Sequence, residues 1–422
     1  MTRYPDSVEF LYALGNEIKT AKFGLEAIQA VLEELGRPQD AFRAVHVAGT
    51  NGKGSTCAMI ESALRVSGAR TGLYTSPHLV EPTERIRVNG VPVSREQFAD
   101  AFSRTHEANL RLLARGVLEH HTTYFETVTA MGFLLFRELG VDTAVVEVGL
   151  GGRLDATNVL QPALTVITPV DFDHEQFLGN SLASIAAEKA GILKAGCPAV
   201  FARQRAESAA VLDARAAELG IQPVRTTSYT IDNLSADAHG SEFTLAREGG
   251  AALHVRCPLA GVHQIENAVT AAAALELLAV QDIEEGIART VWPGRLQRIG
   301  NEPEIILDGA HNPAGARALA DHIRRFYAGR KVWLIYGAMR DKSVQEITEI
   351  LFPLADEVVL TAPASVRAVR PEALKAESDH PRMRVTGSAA EALALARTVP
   401  PGDAVFITGS LYLVGETLGL LQ

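Results

Sequence analysis

The run HVAGTNGKGSTCAMIESALRVSG, from His46 to Gly68, restricts the fold more than any other part of the chain. An alternating apolar stretch stops at Gly49, a turn holding Gly52, Lys53 and Gly54 follows, and helical periodicity begins at once. A strand, a glycine-rich turn and a helix in that order leave backbone N–H groups and the positive end of a helix facing one point, which suits an anion. Glycines let the backbone approach closely, Lys53 adds a flexible positive charge, and Ser55 or Thr56 either caps the helix or reaches a magnesium ion. The turn therefore reads as a phosphate cradle formed by Gly52, Lys53, Gly54 and Ser55. Its spacing is unusual, because only Thr50 and Asn51 separate the outer glycine from the Gly-Lys pair, whereas the common loop is G-x-x-x-x-G-K-[ST].

Strand-like and helix-like stretches alternate along the 422 residues, which predicts an α/β architecture of two or three domains. RAVHVAG (43–49), DTAVVEVG (142–149) and LTVITPV (164–170) read as strands of a largely parallel sheet, with the helical YFETVTAMGFLLFRELG between the first two. From Pro223 to Pro258 short alternating runs separated by Asn, Asp and Gly predict antiparallel hairpins attached to that sheet. HQIENAVTAAAALELLA reads as a helix, and the turn-rich VWPGRLQRIGNEP, Val291 to Pro303, as a linker. The alternation then restarts in EIILDGAHN, KVWLIYGAM, DEVVLTAP and DAVFITGS. The expected fold is an N-terminal P-loop-type domain on a mostly parallel sheet with an antiparallel β segment, residues 1–297, and a smaller Rossmann-like α/β domain, residues 298–422.

A formal net charge of −10 argues against a general nucleic-acid surface. Cys57, Cys197 and Cys257 fit neither a disulfide framework nor a C-x-x-C metal site, and read as small buried apolar residues in a reducing compartment. The first residues, MTRYPDSVEFLYALG, lack the apolar core of a signal peptide. No apolar run is long enough to span a bilayer, which takes about 18 residues or more. A cytoplasmic protein is expected.

Glu147 ends a buried strand just before GLGGRLDATN, where ligands bind in α/β sheets. His174 follows another strand end, in DFDHEQFLG, and Lys189 lies in IAAEKAGILK near the end of a predicted helix. With these stretches the chain carries GTNGKGS, TSPHL, ERIRVNG, TYFE, HQIENA, WPGR, DGAHN and GSLYLVGE in order over nearly its whole length. That series resembles the folylpolyglutamate synthase/dihydrofolate synthase family of the Mur ligase superfamily, ATP-dependent ligases that form amides.

The resemblance implies magnesium ligands at Ser76, Glu147, His174 and Lys189, the last as a carbamate; a lysine at a helix end also answers the helix dipole alone. It implies catalytic roles for Lys53, Glu147, His174 and Lys189, and a nucleotide contacting both domains. To ATP it assigns Asn267, Arg295 and Asp308 besides the cradle, and His311 would orient a phosphate or the incoming glutamate. Arg295 can grip phosphate oxygens bidentately, while Asp308 and Asn312 also suit loop capping at a strand end. The pterin-bearing substrate would lie near Thr123, Tyr124, Phe125, Glu126, Leu154, Asp155 and Ala156. Tyr124 and Phe125 offer either an aromatic face or core packing. The implied reaction phosphorylates a carboxylate with ATP and Mg2+, then joins it to the α-amine of L-glutamate. The acceptors are a folate and dihydropteroate, with a folate-only enzyme as the alternative. The stretch IKTAKFGLEAIQAVLEELG, Ile18 to Gly36, stands where bifunctional members grip dihydropteroate, and does not separate the two. A peptidoglycan-precursor ligase fits TSPHL and TYFE less well, and a P-loop switch or kinase would show the longer loop. A monomer is expected, since two domains can already enclose the reaction.

Overall fold

In the computed structural model the described residues are 2–15, 24–340, 343–376 and 378–422. The Ile18–Phe23 part of the stretch expected to hold dihydropteroate lies outside them. Contacts gather the chain into two units, each discontinuous in sequence.

The first unit takes the described residues of Met1–Val170, Leu182–Tyr229 and Asn267–Arg289. Its sheet contains β1 (Arg43–Ala48), β2 (Thr71–Tyr74), β3 (Ile86–Val88), β4 (Val91–Pro92), β5 (Thr143–Glu147), β6 (Leu164–Ile167), β7 (Ala199–Phe201) and β8 (Val224–Arg225). The order is β4-β3-β2-β5-β1-β6-β7-β8. Pairing is antiparallel only at β2–β3 and β3–β4, and parallel from β2 through β5, β1, β6 and β7 to β8. Every residue of β5 and β6 is buried, as expected for strands covered on both faces. β1 stands between β5 and β6, and the register sets Val47 beside Glu147. The cradle and Glu147 thus leave neighbouring strands at the same edge.

The helix Lys53–Val66 packs against β5 and β2. The helix Tyr124–Glu138 contributes Val128, Phe133 and Phe136, all fully buried, to the core around Tyr74 and Phe102. The short helix Ile283–Ala288 returns late in the chain to lie on Lys53–Val66.

The second unit takes Asp171–Ser181, Thr230–Glu266 and the described residues of Thr290–Gln422. One sheet of it holds β9 (Tyr229–Ala236), β10 (Ser241–Arg247) and β11 (Leu253–Cys257), in the order β11-β10-β9. These hairpins were expected on the main sheet. They pair among themselves instead, and only Val224–Arg225 of that stretch joins the large sheet. The other sheet holds β12 (Gln297–Asn301), β13 (Glu304–Leu307), β14 (Val332–Tyr336), β15 (Glu357–Leu360), β16 (Met383–Val385) and β17 (Ala404–Thr408), in the order β12-β13-β17-β14-β15-β16. Only β12–β13 is antiparallel. The expected linker is therefore partly a ladder: Gln297–Asn301 pairs with β13, and Leu296 is buried just before it.

All three cysteines are free and buried. Among the described residues, no helix is long and apolar enough to cross a membrane.

A Cβ on Gly286 would overlap the backbone of Ala63, where Ile283–Ala288 crosses Lys53–Val66. Gly286→Ala is expected to destabilise the protein by about 1–3 kcal/mol through overpacking, read as a lower urea midpoint with an unchanged slope.

Candidate active site

The cradle forms because β1 ends against β6. Gly49 has φ +154°, and a side chain there would fall onto Thr168, just past β6. The Thr50 N–H donates to the Pro169 carbonyl at 2.9 Å, which pins the turn to the neighbouring strand end. Gly52, with φ +83° and ψ −10°, caps the helix Lys53–Val66 in a left-handed conformation that favours glycine. A Cβ at Gly52 would collide with Asn267 Oδ1, so Asn267 lies directly against the cradle. Lys53 is the first helical residue; its Nζ donates to the Thr50 carbonyl at 3.2 Å and stands 4.0 Å from Glu147 Oε1. Ser55 is buried in the first turn, and the buried Thr56 hydroxyl finds no hydrogen-bond partner among the described residues.

Glu147 Oε2 accepts the Ser76 N–H at 3.2 Å. Ser76, Glu147 and Lys53 thus form one group in the first unit. Beyond Glu147 the glycine loop folds onto the helix Leu182–Ala190: Arg153 N–H donates to the Glu188 carbonyl at 2.8 Å, and a Cβ on Gly152 would come within 3.0 Å of Lys189 Cα. Lys189 is buried in the last turn of that helix. The loop is held from inside by Asp155, which accepts from Leu150 N at 2.9 Å and Thr157 N at 3.0 Å. Burial raises the Asp155 pKa, and its hydrogen bonds oppose the rise. Leu154 and Ala156 flank it, Ala156 buried. Thr157 Oγ1 lies 2.8 Å from Nε2 of the buried His46, whose pKa burial lowers to about 3.

Thr123 and Glu126 close a capping box at the start of Tyr124–Glu138. Phe125 lies against Gly149 of the glycine loop. Tyr124 is 2% exposed, and its ring is parallel to that of Tyr12 with centroids 5.8 Å apart. Its ring is core, not an open face. Arg85 lies over the same ring at 5.2 Å and donates to His78 Nδ1 at 2.9 Å, tying TSPHL to the aromatic pair.

In the second unit Asp308 is buried beyond β13 and accepts from Leu296 N and Ala310 N, both at 3.0 Å. Burial raises its pKa, and the nearby Arg295 charge pulls it back. Arg295 Nη1 donates to the Gly294 carbonyl at 3.0 Å. Asn312 caps the helix Pro313–Phe326, accepting the Gly315 N–H at 2.8 Å. His311 Nδ1 donates to the Gly309 carbonyl at 2.7 Å. His174 has φ +52° and precedes the one-turn helix Glu175–Leu178. Asp173, beside it, joins His174 to His311 and Asn312. Sequence reasoning assigned no role to Asp173, Thr168, Tyr12 or Arg85. Asp173 alone carried a signal, as a carboxylate next to a histidine after a strand end.

Among the described residues, no three His, Cys, Asp or Glu side chains are placed to hold a metal. The Ser76 hydroxyl and the Glu147 carboxylate are hard oxygen donors of the kind magnesium takes. A magnesium ion asks for only one or two carboxylates and fills its remaining positions with water and phosphate, so this donor set fits it.

Two family descriptions match the chain: Mur ligase middle domain over residues 47–275, and Mur ligase, glutamate ligase domain over 294–411. The folylpolyglutamate synthase of Lacticaseibacillus casei is 34% identical over 420 residues, covering 97% of this chain and 96% of that protein. The dihydrofolate synthase/folylpolyglutamate synthase of Bacillus subtilis is 36% identical over 370 residues, covering 85% and 84%. A crystal structure of Mycobacterium tuberculosis folylpolyglutamate synthase complexed with ADP and AMPPCP superposes with a TM-score of 0.90 at 32% identity, covering 98% of this chain and 99% of that one.

His46 makes the architecture sensitive to acid. Its folded pKa is about 3 against an ordinary 6.5, so unfolding takes up a proton between those values. Its contribution is complete above pH 6.5 and is lost as pH falls toward 3. Asp155, with a raised pKa, acts in the opposite sense. Unfolding free energies measured from pH 7 to pH 4 should fall less steeply in His46→Gln than in the wild type, by about 1.4 kcal/mol per pH unit where one proton is removed from the balance.

Proposed function

The chain belongs to the Mur ligase family, and from that premise we propose that it is an ATP-dependent ligase joining L-glutamate to folates and to dihydropteroate. The observation that carries the reading is the cradle with its charge pair. Lys53 Nζ, anchored on the Thr50 carbonyl, sits 4.0 Å from Glu147 at the ends of adjacent strands. The names of the L. casei and B. subtilis relatives supply the two acceptors, and the M. tuberculosis complex supports the nucleotide.

ATP transfers its γ-phosphoryl group to the carboxylate of the folate or dihydropteroate, giving an acyl phosphate and ADP. The α-amine of L-glutamate attacks the acyl carbon, the tetrahedral intermediate expels phosphate, and an amide remains. The chain has little covalent chemistry to do. Backbone N–H groups of Gly52, Lys53, Gly54 and Ser55 hold phosphate oxygens, and Lys53 neutralises charge that grows there. Asn267 steadies the cradle at Gly52. We assign Arg295 and Asp308 to the nucleotide by resemblance, Asp308 through the backbone it fixes at Leu296 and Ala310, and His311 to a phosphate or the incoming glutamate. Thr123, Tyr124, Phe125, Glu126, Leu154, Asp155 and Ala156 are assigned to the pterin-bearing substrate, with the buried Tyr124 ring backing its site and Asp155 and the capping box shaping its loops.

Bound magnesium would screen the phosphates and polarise the transferred group. Ser76, Glu147, His174 and a carbamylated Lys189 are the residues we assign to hold it. A carbamate would make Lys189 anionic, which suits a cation. We also propose that the protein acts as a cytoplasmic monomer, with residues 1–297 as an ATP-binding ligase domain and residues 298–422 as a glutamate-ligase domain.

The test is ADP release by the purified protein with dihydropteroate and with tetrahydrofolate, each with and without L-glutamate. Both acceptors should give glutamate-dependent release, and Lys53→Ala should abolish it. Near-normal turnover in that variant would refute the role of the cradle.

Lys189→Ala should be inactive, and short carboxylic acids should restore part of its turnover. A well-folded variant that no acid rescues counts against the carbamate.

A further inference from the structure

Two distant stretches of the second unit converge on one carboxylate. Asp173 Oδ2 accepts from Asn312 Nδ2 at 3.0 Å and lies 3.8 Å from His311 Nε2. Asp173 Oδ1 accepts the His174 backbone N–H at 2.9 Å and lies 3.7 Å from His174 Nε2. The Asp173 side chain is only 12% exposed, so hydrogen bonds to its charge are stronger than on open surface. Its neighbours are themselves anchored. The bond from His311 Nδ1 to the Gly309 carbonyl, 2.7 Å long, turns Nε2 toward Asp173. Asn312 spends its oxygen on the Gly315 N–H and its amide nitrogen on Asp173, so one side chain ties the start of a 14-residue helix to the carboxylate.

We propose that Asp173 is a positioning residue for ligation, holding His311 and Asn312 in register with the turn that carries His174 so that His311 meets the incoming glutamate in one orientation. The inference rests on the ligase reading. Of the two roles open to His311, orienting a phosphate or the incoming glutamate, we commit to glutamate, and separate KM values for L-glutamate and ATP distinguish them. Two separate donors, Asn312 Nδ2 and His174 N–H, each require an acceptor on Asp173; an asparagine there offers one acceptor and no charge.

Asp173→Asn and Asn312→Ser separate positioning from folding, because serine keeps the helix cap while deleting the donor to Asp173. Each is expected to raise KM for L-glutamate about tenfold, with kcat and KM for ATP within about twofold of the wild type and an unchanged unfolding midpoint. The double variant should be no worse than the more affected single one, as for two partners of one contact. Amide hydrogen exchange over residues 174–179 and 309–315 should quicken together in Asp173→Asn. A wild-type KM for glutamate, effects that multiply in the double variant, or a uniform loss that follows a lowered midpoint would each overturn the proposal, as would unchanged exchange. If the wild type itself releases no glutamate-dependent ADP, the ligase reading fails, and the exchange comparison still decides whether Asp173 holds the two stretches together.

Discussion

Lys53, at the start of the helix after β1, and Glu147, at the end of β5, face each other across 4.0 Å, with side chains 17% and 6% exposed. Removing two charges from water costs several kcal/mol per ion before their attraction is counted, and a pair so placed is weak evidence for stability. Its placement makes sense as preorganisation: a cation kept close to where phosphate charge gathers, its position fixed by a carboxylate and a backbone carbonyl. The rest of the first unit serves that placement. Register sets Val47 beside Glu147, Thr168 limits the residue after β1 to glycine, and the glycine loop past Glu147 is folded onto the helix of Lys189.

The second unit uses carboxylates as the first uses Asp155. Asp308 and Asp173 both turn inward and receive N–H groups, so each shapes a loop before it meets any ligand. Asp308 sets the path at Leu296 and Ala310, and Asp173 ties the DGAHN loop to the His174 turn. His174 and His311 stand within 4 Å of Asp173, and the Arg295 charge lies near Asp308.

Much of this was legible in the residues. The cradle, the strands read at 43–49, 142–149 and 164–170, which end up to three residues earlier in the structure, and the restart of the alternation at Glu304 follow from local pattern: a strand, a glycine turn and a helix leave few alternatives. What the sequence hid was partnership. The hairpins of β9 to β11 carry the right turns and alternation, but nothing local says that they pair among themselves. VWPGRLQRIGNEP looks like a connector because Pro and Gly dominate its start, yet Gln297–Asn301 finds a ladder on β13. The three-residue strand β16 is too short to show a period. Tyr124 could be read as ligand face or core, and only the packing of Tyr12 and Arg85 around it decides. Asp173 went unassigned because His311 and Asn312 lie more than a hundred residues further along the chain.

The first unit is interrupted: the chain leaves it after Tyr229 and comes back at Asn267. The returning piece is not peripheral, since Asn267 abuts Gly52 and Ile283–Ala288 covers the helix that begins at Lys53. A ribosome that has delivered everything through Tyr229 has therefore released all eight strands of the large sheet but not the backing of its phosphate turn. Until the later segment is made, the helix that begins at Lys53 lacks the flank that Ile283–Ala288 supplies, so the packing of this unit is completed by chain that follows a stretch belonging to the other unit.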